Sequence, residues 1–154
     1  MDKSPYALDF LLHQLELIKS NIRKPKYKEL IKEIFENNEL YEKFLIAKDK
    51  KSRNYKHGVL ERVASTGSLA LCIYDNYPTI DIDLLLTAII LSGFRDAVGR
   101  PFFYKNVKDY PEIAEILYKK NRQKPKIEHF LFDEIIKIDE RVKVRESKEI
   151  SNFT

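Results

Sequence analysis

Three histidines are the residues of this chain that most readily bind a metal. His13, His57 and His129 fall on three different predicted helices or helix ends. Asp96 and Asp133 can be imagined beside His57 and His129 as a metal site, because imidazole and carboxylate groups are common ligands of divalent ions. No His-Glu-x-x-His spacing supports a zinc site, so hydrogen-bonded histidines at the surface or half-buried are the favoured interpretation.

The candidate nucleophiles are one cysteine and a few serines. Cys72 lies among apolar residues of the longest predicted helix, so we expect a small core residue rather than a reactive thiol. Ser65, Ser68 and Ser92 lack the Gly-x-Ser-x-Gly setting of a hydrolase nucleophile. A lone cysteine forms no internal disulfide, which is typical of a reducing compartment, and we expect the cytoplasm.

Two basic runs, Lys48–Arg53 and Lys119–Lys126, are the strongest charge features of the chain. The net charge is +4 and the pI about 9.0, which is only mildly basic. Solvated loops are therefore the favoured interpretation of both runs. Nucleic-acid phosphates bound through Lys50, Lys51 and Arg53 are the alternative.

Length and composition indicate one helical domain. The chain has 154 residues, of which 44% are hydrophobic and 34% charged, as is typical of a soluble globular protein with one core. Only four glycines and six prolines interrupt it, which favours long helices. No apolar run approaches the about 20 residues that span a bilayer, and the N-terminus lacks the features of a signal peptide.

Apolar spacing predicts an all-α fold of about seven helices. Ser4 and Pro5 are a plausible helix start, and mid-helix Gly67 predicts close contact with another helix. Asp81 can cap a helix that is apolar nearly all round and therefore belongs in the centre of the domain; a buried strand over 84–91 is the competing interpretation. The predicted helices cover 6–22, 26–36, 39–46, 55–76, 82–92, 110–120 and 127–143, with irregular structure over 94–109.

Three stretches in the centre of the sequence resemble motifs of a known family. In order, these stretches are Gly58-Val59-Leu60-Glu61-Arg62, Tyr77-Pro78-Thr79-Ile80-Asp81-Ile82-Asp83-Leu84-Leu85 and Ile89-Ile90-Leu91-Ser92-Gly93. It is similar to the HD-domain superfamily of metal-dependent phosphohydrolases, and most similar to the HD domains that bacterial 3′–5′ exoribonucleases join to an OB-fold. Those domains read Gly-Leu-Leu-Glu-His, then Tyr-Pro-x-Leu-Asp-x-Asp-Leu-Leu, then an apolar run ending in His-Asp. The likeness extends more weakly over about 20–143.

The resemblance implies a metal site whose ligands this chain lacks. Arg62 stands where the family has its first histidine, and Ser92-Gly93 stand where it has the His-Asp pair. The histidines that often precede the glycine fall near Ser52 and Arg53. The family's late aspartate falls at Ile136, with Asp133 and Asp139 about a turn away. A fixed positive charge at a ligand position repels a cation, so we expect neither a metal nor a cofactor.

The hollow left by the missing ligands is better suited to an anion. Lys56, Arg62, Arg95 and Arg100 can surround it, and guanidinium groups bind phosphate and carboxylate well. The favoured interpretation is nevertheless that Arg62 forms a buried or rim ion pair with Asp96, Glu61 or Asp133 and fills the vacated site.

We therefore expect a single HD-like domain over 1–154. Its parts are N-terminal helices and a basic linker in 1–54, an HD-like core in 55–143 and a frayed tail in 144–154. The expected function is that of a pseudoenzyme, a catalytically inactive binding or scaffold module. Its expected partner is a protein or an anionic ligand, and we do not expect it to bind a membrane. The alternatives are a metal-dependent phosphohydrolase or exoribonuclease with displaced ligands, and a nucleic-acid-binding accessory protein. The displaced ligands would come from His57, His129, Asp96, Asp133 and Asp139.

Overall fold

The computed structural model describes residues 2–119 and 124–153 and is all-α over those residues. The predicted all-α bundle of about seven helices is confirmed. The helices are α1 (Leu8–Ser20), α2 (Pro25–Glu36), α3 (Asn38–Ile46), α4 (Gly58–Asn76), α5 (Ile82–Val98), a π-helical turn (Phe103–Val107), α6 (Pro111–Tyr118) and α7 (Ile127–Phe153).

Helix α5 is the centre of the bundle, as its apolar composition predicts. Twelve of its residues are buried, including Ser92 and Gly93, and it contacts α2, α3, α4, α6 and α7. Its N-terminus is capped by Asp81, whose carboxylate accepts a hydrogen bond from the Leu84 amide at 3.1 Å. The competing interpretation of 84–91 as a strand is wrong, because a capped helix of 17 residues satisfies the backbone internally.

The close contact predicted at Gly67 is confirmed. A Cβ at this position would collide with Cδ1 of Ile18 and lie 2.9 Å from its Cγ1. The missing side chain lets α1 approach α4 at van der Waals distance, and this approach fixes one wall of the core.

Two helices extend beyond their predicted ends. The predicted end of α5 at residue 92 is wrong, since the helix continues to Val98 and terminates at Gly99, whose φ is 87°. Helix α7 continues to Phe153 instead of ending at residue 143. The extension of α5 matters for function because it brings Arg95 and Asp96 onto a regular helical surface one turn past Ser92.

Two local predictions are wrong. Ser4 does not cap α1, which begins at Leu8; its buried hydroxyl donates to Oε1 of Glu61 at 2.6 Å. Cys72 is exposed, because it lies about 200° around α4 from the buried Ala70. Phe102, in the stretch that the sequence leaves irregular, is only 1% exposed and stacks on Phe94, which makes it a core residue.

Among the described residues, no helix combines the length and the apolar character that crossing a bilayer requires.

Candidate functional site

A tight loop between α3 and α4 carries the first set of functional side chains. The backbones of Asp49 and Arg53 exchange two hydrogen bonds of 3.0 and 2.9 Å, which close the loop. The Asp49 carboxylate also accepts from the Ser52 hydroxyl at 2.9 Å and the Lys51 amide at 3.3 Å. Gly58 begins α4 against this loop, where a Cβ would collide with the Arg53 carbonyl. The loop is therefore held in one shape rather than freely solvated.

The lysines of this loop form one rim of a pocket of about 330 Å³, which we call the arginine pocket. Helices α4, α5 and α7 supply its other walls, so four separate segments of the chain converge there. It is lined by Lys48, Asp49, Lys50, Lys51, Val59, Arg62, Arg95, Asp96, Ile136 and Glu140. Five of these side chains are cationic and three are carboxylates, so the pocket has an excess of positive charge.

Arg62 is the buried charge in the wall of the arginine pocket. Its residue is 8% exposed, and its Nη1 lies 2.8 Å from Oδ2 of Asp96 and 3.7 Å from Oδ2 of Asp49. Its Nε and Nη2 are also buried, yet they have no hydrogen-bond partner among the described residues. An unsatisfied buried donor costs on the order of 1–3 kcal/mol, so the pair with Asp96 satisfies this guanidinium only in part.

Asp96 is shared between two arginines. Arg95 donates from Nε to Oδ1 of Asp96 at 2.9 Å and from Nη1 to the Leu117 carbonyl at 2.6 Å. Partial burial alone would raise the pKa of the Asp96 carboxyl, but the charges of Arg62 and Arg95 outweigh it, and the net pKa is lowered. Asp96 is thus held ionised as an internal counter-ion of the pocket.

Behind Asp96, Tyr118 contributes a second incompletely satisfied group. Its hydroxyl oxygen is buried and has no hydrogen-bond partner among the described residues. Burial raises the pKa of Tyr118, while Arg95 lowers it and Asp96 raises it, so the ring lies within the field of both charges.

The predicted ligand positions divide between the pocket and the core. Arg62 and Ile136 line the arginine pocket, whereas Ser92 is fully buried and its hydroxyl donates to the Ile89 carbonyl at 2.6 Å. A Cβ on Gly93 would lie 2.7 Å from Cε1 of Phe44, so this position faces the apolar core. The α5 carboxylate that meets Arg62 is Asp96, one helical turn beyond the pair identified from the sequence.

Two of the four cations predicted to surround the hollow lie elsewhere. Arg62 and Arg95 line the pocket, but Lys56 and Arg100 do not. Lys56 precedes α4 and pairs by its backbone with the N-terminal segment, where its amide donates to the Asp2 carbonyl at 3.0 Å. Arg100 follows the end of α5 and is exposed. The loop lysines Lys48, Lys50 and Lys51 line the pocket instead.

A separate set of charges, which we call the buried charge network, consists of Arg53, Glu61, Asp139 and Lys143. Arg53 donates from Nη1 and Nη2 to the two oxygens of Asp139 at 2.7 and 3.1 Å, and from Nε to Glu61 at 2.6 Å. The side chains of these three residues are each 4% exposed. The prediction of Arg53 as a nucleic-acid contact is therefore wrong, because its guanidinium is consumed by two internal carboxylates.

Hydroxyl groups complete the buried charge network. Ser4 and Tyr55 donate to Glu61 at 2.6 and 2.8 Å, and Ser65 donates to Asp139 at 2.6 Å. Burial alone would raise the pKa of Glu61, but the hydrogen bonds from Ser4, Tyr55 and Arg53 outweigh it and lower the net pKa. A second cavity of about 280 Å³ lies over this network.

The proposed displaced metal ligands do not converge. His57 Nδ1 lies 2.6 Å from the Leu45 carbonyl oxygen, while His129 is buried and accepts at Nδ1 from the Lys126 amide at 3.0 Å. Asp96 and Asp139 are engaged by different arginines, and Asp133 lies 3.8 Å from Lys119 Nζ. Within 2–119 and 124–153, no three His, Cys, Asp or Glu side chains come together in an arrangement that could hold a metal ion. The described residues therefore do not form the metal-binding geometry that the alternative with displaced ligands requires.

The second basic run lies partly outside the described residues. Lys120, Asn121, Arg122 and Gln123 are not described, so the structure says nothing of a phosphate-contacting patch there. Lys119 has a left-handed backbone, with φ of 55°, and is exposed at the end of α6.

Sequence reasoning did not place the remaining lining residues in this pocket, which are Lys48, Asp49, Lys50, Lys51, Val59 and Glu140. Asp49 sits in a run of charged residues and has no sequence signal that separates a buried carboxylate from its exposed neighbours. Glu140 lies one turn after Ile136 on α7, so the position of Ile136 in the pocket was the available clue.

Comparisons with models of protein families, with curated proteins and with solved structures found no match to this chain.

Proposed function

We propose that this chain is an HD-like helical domain that has lost metal-dependent catalysis and acts by binding an anionic ligand in the arginine pocket. The observation that carries the proposal is Arg62, a buried guanidinium that stands at a ligand position of the resembled family. It is paired with Asp96 and has two donors left over. The use of a single cysteine, exposed as a free thiol, fits a reducing compartment such as the cytoplasm.

The charge of Arg62 argues against a metal at this position. A divalent ion needs anionic oxygens or neutral imidazoles that converge on it. An arginine side chain stays protonated at every pH of interest and repels such an ion. Its partner Asp96 already has two guanidinium neighbours.

The same charges favour an anion. Three lysines on the loop and two arginines on α4 and α5 face three carboxylates across the pocket, which leaves the lining positive. Arginine binds phosphate and carboxylate oxygens through paired N–H donors, and Nε and Nη2 of Arg62 are buried without a partner among the described residues.

The proposal is tested by metal analysis and turnover on the purified full chain. We expect substoichiometric Mn, Fe, Ni, Zn and Mg after purification, and no hydrolysis of a phosphodiester substrate when these ions are added. Stoichiometric metal with turnover, abolished by Asp96→Ala and retained in a matched surface variant such as Asp75→Ala, would overturn it.

A further inference from the structure

We infer that the ligand of the arginine pocket is a compact polyanion with two or more linked phosphoryl groups, bound through its phosphates and not through a base. This inference rests on the proposed function and adds the chemical class of the ligand. It follows from the charge, the size and the lining of the pocket and from the unsatisfied donors of Arg62.

The distribution of charge requires a ligand with more than one anionic group. The cations stand on separate walls, because Lys50 and Lys51 belong to the loop while Arg62 and Arg95 belong to α4 and α5. The pocket volume of 330 Å³ equals that of about ten water molecules. A single tetrahedral anion would fill only a small part of this volume.

The lining argues against recognition of a base. Proteins that bind bases without a sequence code stack them on aromatic side chains or on guanidinium planes. The described lining contains lysine, arginine, aspartate, glutamate, valine and isoleucine, and no aromatic residue. The guanidinium of Arg62 is buried, so its plane does not lie open for stacking.

Binding takes the form of an exchange of counter-ions. Asp96 now lies on Nη1 of Arg62, while Nε and Nη2 have no partner among the described residues. A phosphoryl group that displaces Asp96 offers several acceptor oxygens to a turned guanidinium and so satisfies donors that one carboxylate leaves unpaired. Asp96 keeps Arg95 as its partner during this exchange. The loop lysines, which are exposed, then neutralise the outer phosphoryl group.

The test is calorimetric titration of the full chain with phosphate, pyrophosphate and tripolyphosphate at constant ionic strength. We expect affinity to rise along this series and to fall with added salt, because several charges are neutralised together. ADP should bind no more tightly than pyrophosphate, since the lining offers the base no contact.

Three variants locate the site. Lys50→Ala/Lys51→Ala removes two exposed charges and should weaken pyrophosphate about tenfold. The matched control Lys28→Ala/Lys32→Ala removes two exposed lysines from α2, with the same change in net charge, and should leave affinity within about twofold. Arg62→Lys keeps the buried charge but loses the fork of donors and should weaken binding by at least about tenfold; its circular dichroism verifies the fold.

Several outcomes would overturn the ligand class. They are no binding of any polyphosphate at millimolar concentration, equal losses in the α2 and loop variants, ADP binding clearly tighter than pyrophosphate, or an RNA oligonucleotide binding tighter than tripolyphosphate. These results do not bear on the expectation that the chain does not hydrolyse a phosphodiester substrate. Metal-dependent hydrolysis would instead overturn the proposed function, so the two failures are distinguishable.

Discussion

The buried charge network predicts a large and specific loss of stability on removal of Asp139. The Asp139→Ala variant deletes both acceptors of the Arg53 fork and the acceptor of Ser65. Arg53 keeps Glu61 through Nε, so the network of two cations and two carboxylates becomes one of two cations and one carboxylate. The side chains of Arg53, Glu61 and Asp139 are each only 4% exposed, so Arg53 loses its partner at a position with little solvent contact.

The expected magnitude follows from this imbalance. Breaking a buried ion pair by removing one partner costs about 3–5 kcal/mol, and the remaining bond to Glu61 puts Arg53 at the lower end, about 3 kcal/mol. The ratio of folded to unfolded protein then falls by about two orders of magnitude. For a chain of this length the melting temperature should drop by about 6–12 °C.

Urea and thermal denaturation followed by circular dichroism measure this loss. The control Glu149→Ala breaks an exposed α7 pair with Arg145 at 3.3 Å, and it should cost less than about 0.5 kcal/mol. The double variant Arg53→Met/Asp139→Leu removes both charges and should be more stable than Asp139→Ala alone. A cost below about 1 kcal/mol for Asp139→Ala, or a double variant less stable than the single one, would refute the electrostatic reasoning.

Three further predictions follow. Asp96→Asn removes the counter-ion of Arg62 and should tighten pyrophosphate binding about threefold to tenfold; weaker binding by calorimetry would contradict the exchange. Because the folded pKa of Glu61 is lowered, its stabilisation is present above the ordinary value of 4.5 and is lost as the pH falls below it. Urea midpoints measured across pH should therefore fall in acid, and less steeply for Glu61→Gln. Gly93→Ala should be net destabilising by up to about 2 kcal/mol, since overpacking against Phe44 exceeds the gain in helix propensity; a raised melting temperature would show that position 93 has free space.

The apolar pattern was sufficient to predict the central helix and one close helix contact. Helix α5 is hydrophobic on all sides, and this composition leaves it no stable position except the core. Gly67 carried a similar signal, since a glycine in mid-helix is explained by the approach of Ile18. Both predictions depend only on the type of the local residues. The apolar residues of α5 need a core around them, and Gly67 leaves space for a neighbouring helix.

The pocket could not be predicted at the same level, because it depends on helix phase. A glycine at 93 leaves no side chain to indicate which face of α5 it occupies, and the sequence likeness placed the missing ligand pair there. The structure directs that face toward Phe44 and the next turn toward Arg62. The likeness therefore assigned the missing ligands to a face of α5 that lies in the core, whereas Asp96, which the sequence analysis had considered as a partner of Arg62, lies one turn later at the pocket.

The role of Arg53 could not be predicted for a different reason. It belongs to a run of charged residues in which Lys50 and Lys51 are exposed, and composition alone assigns all of them to solvent. The reciprocal backbone bonds with Asp49 turn Arg53 inward, and its partner Asp139 is 86 residues away. A single sequence contains no local sign of such a distant pair.

Arg53 and Arg62 each connect two segments of the chain, but they differ in how completely their nitrogens are paired. Arg53 joins the loop to α7 through Asp139, and Arg62 joins α4 to α5 through Asp96. All three nitrogens of Arg53 have partners, so this guanidinium has no unpaired nitrogen to offer a ligand. Arg62 keeps two unsatisfied donors beside a positive pocket, and recognition is therefore expected at Arg62 while Arg53 contributes stability.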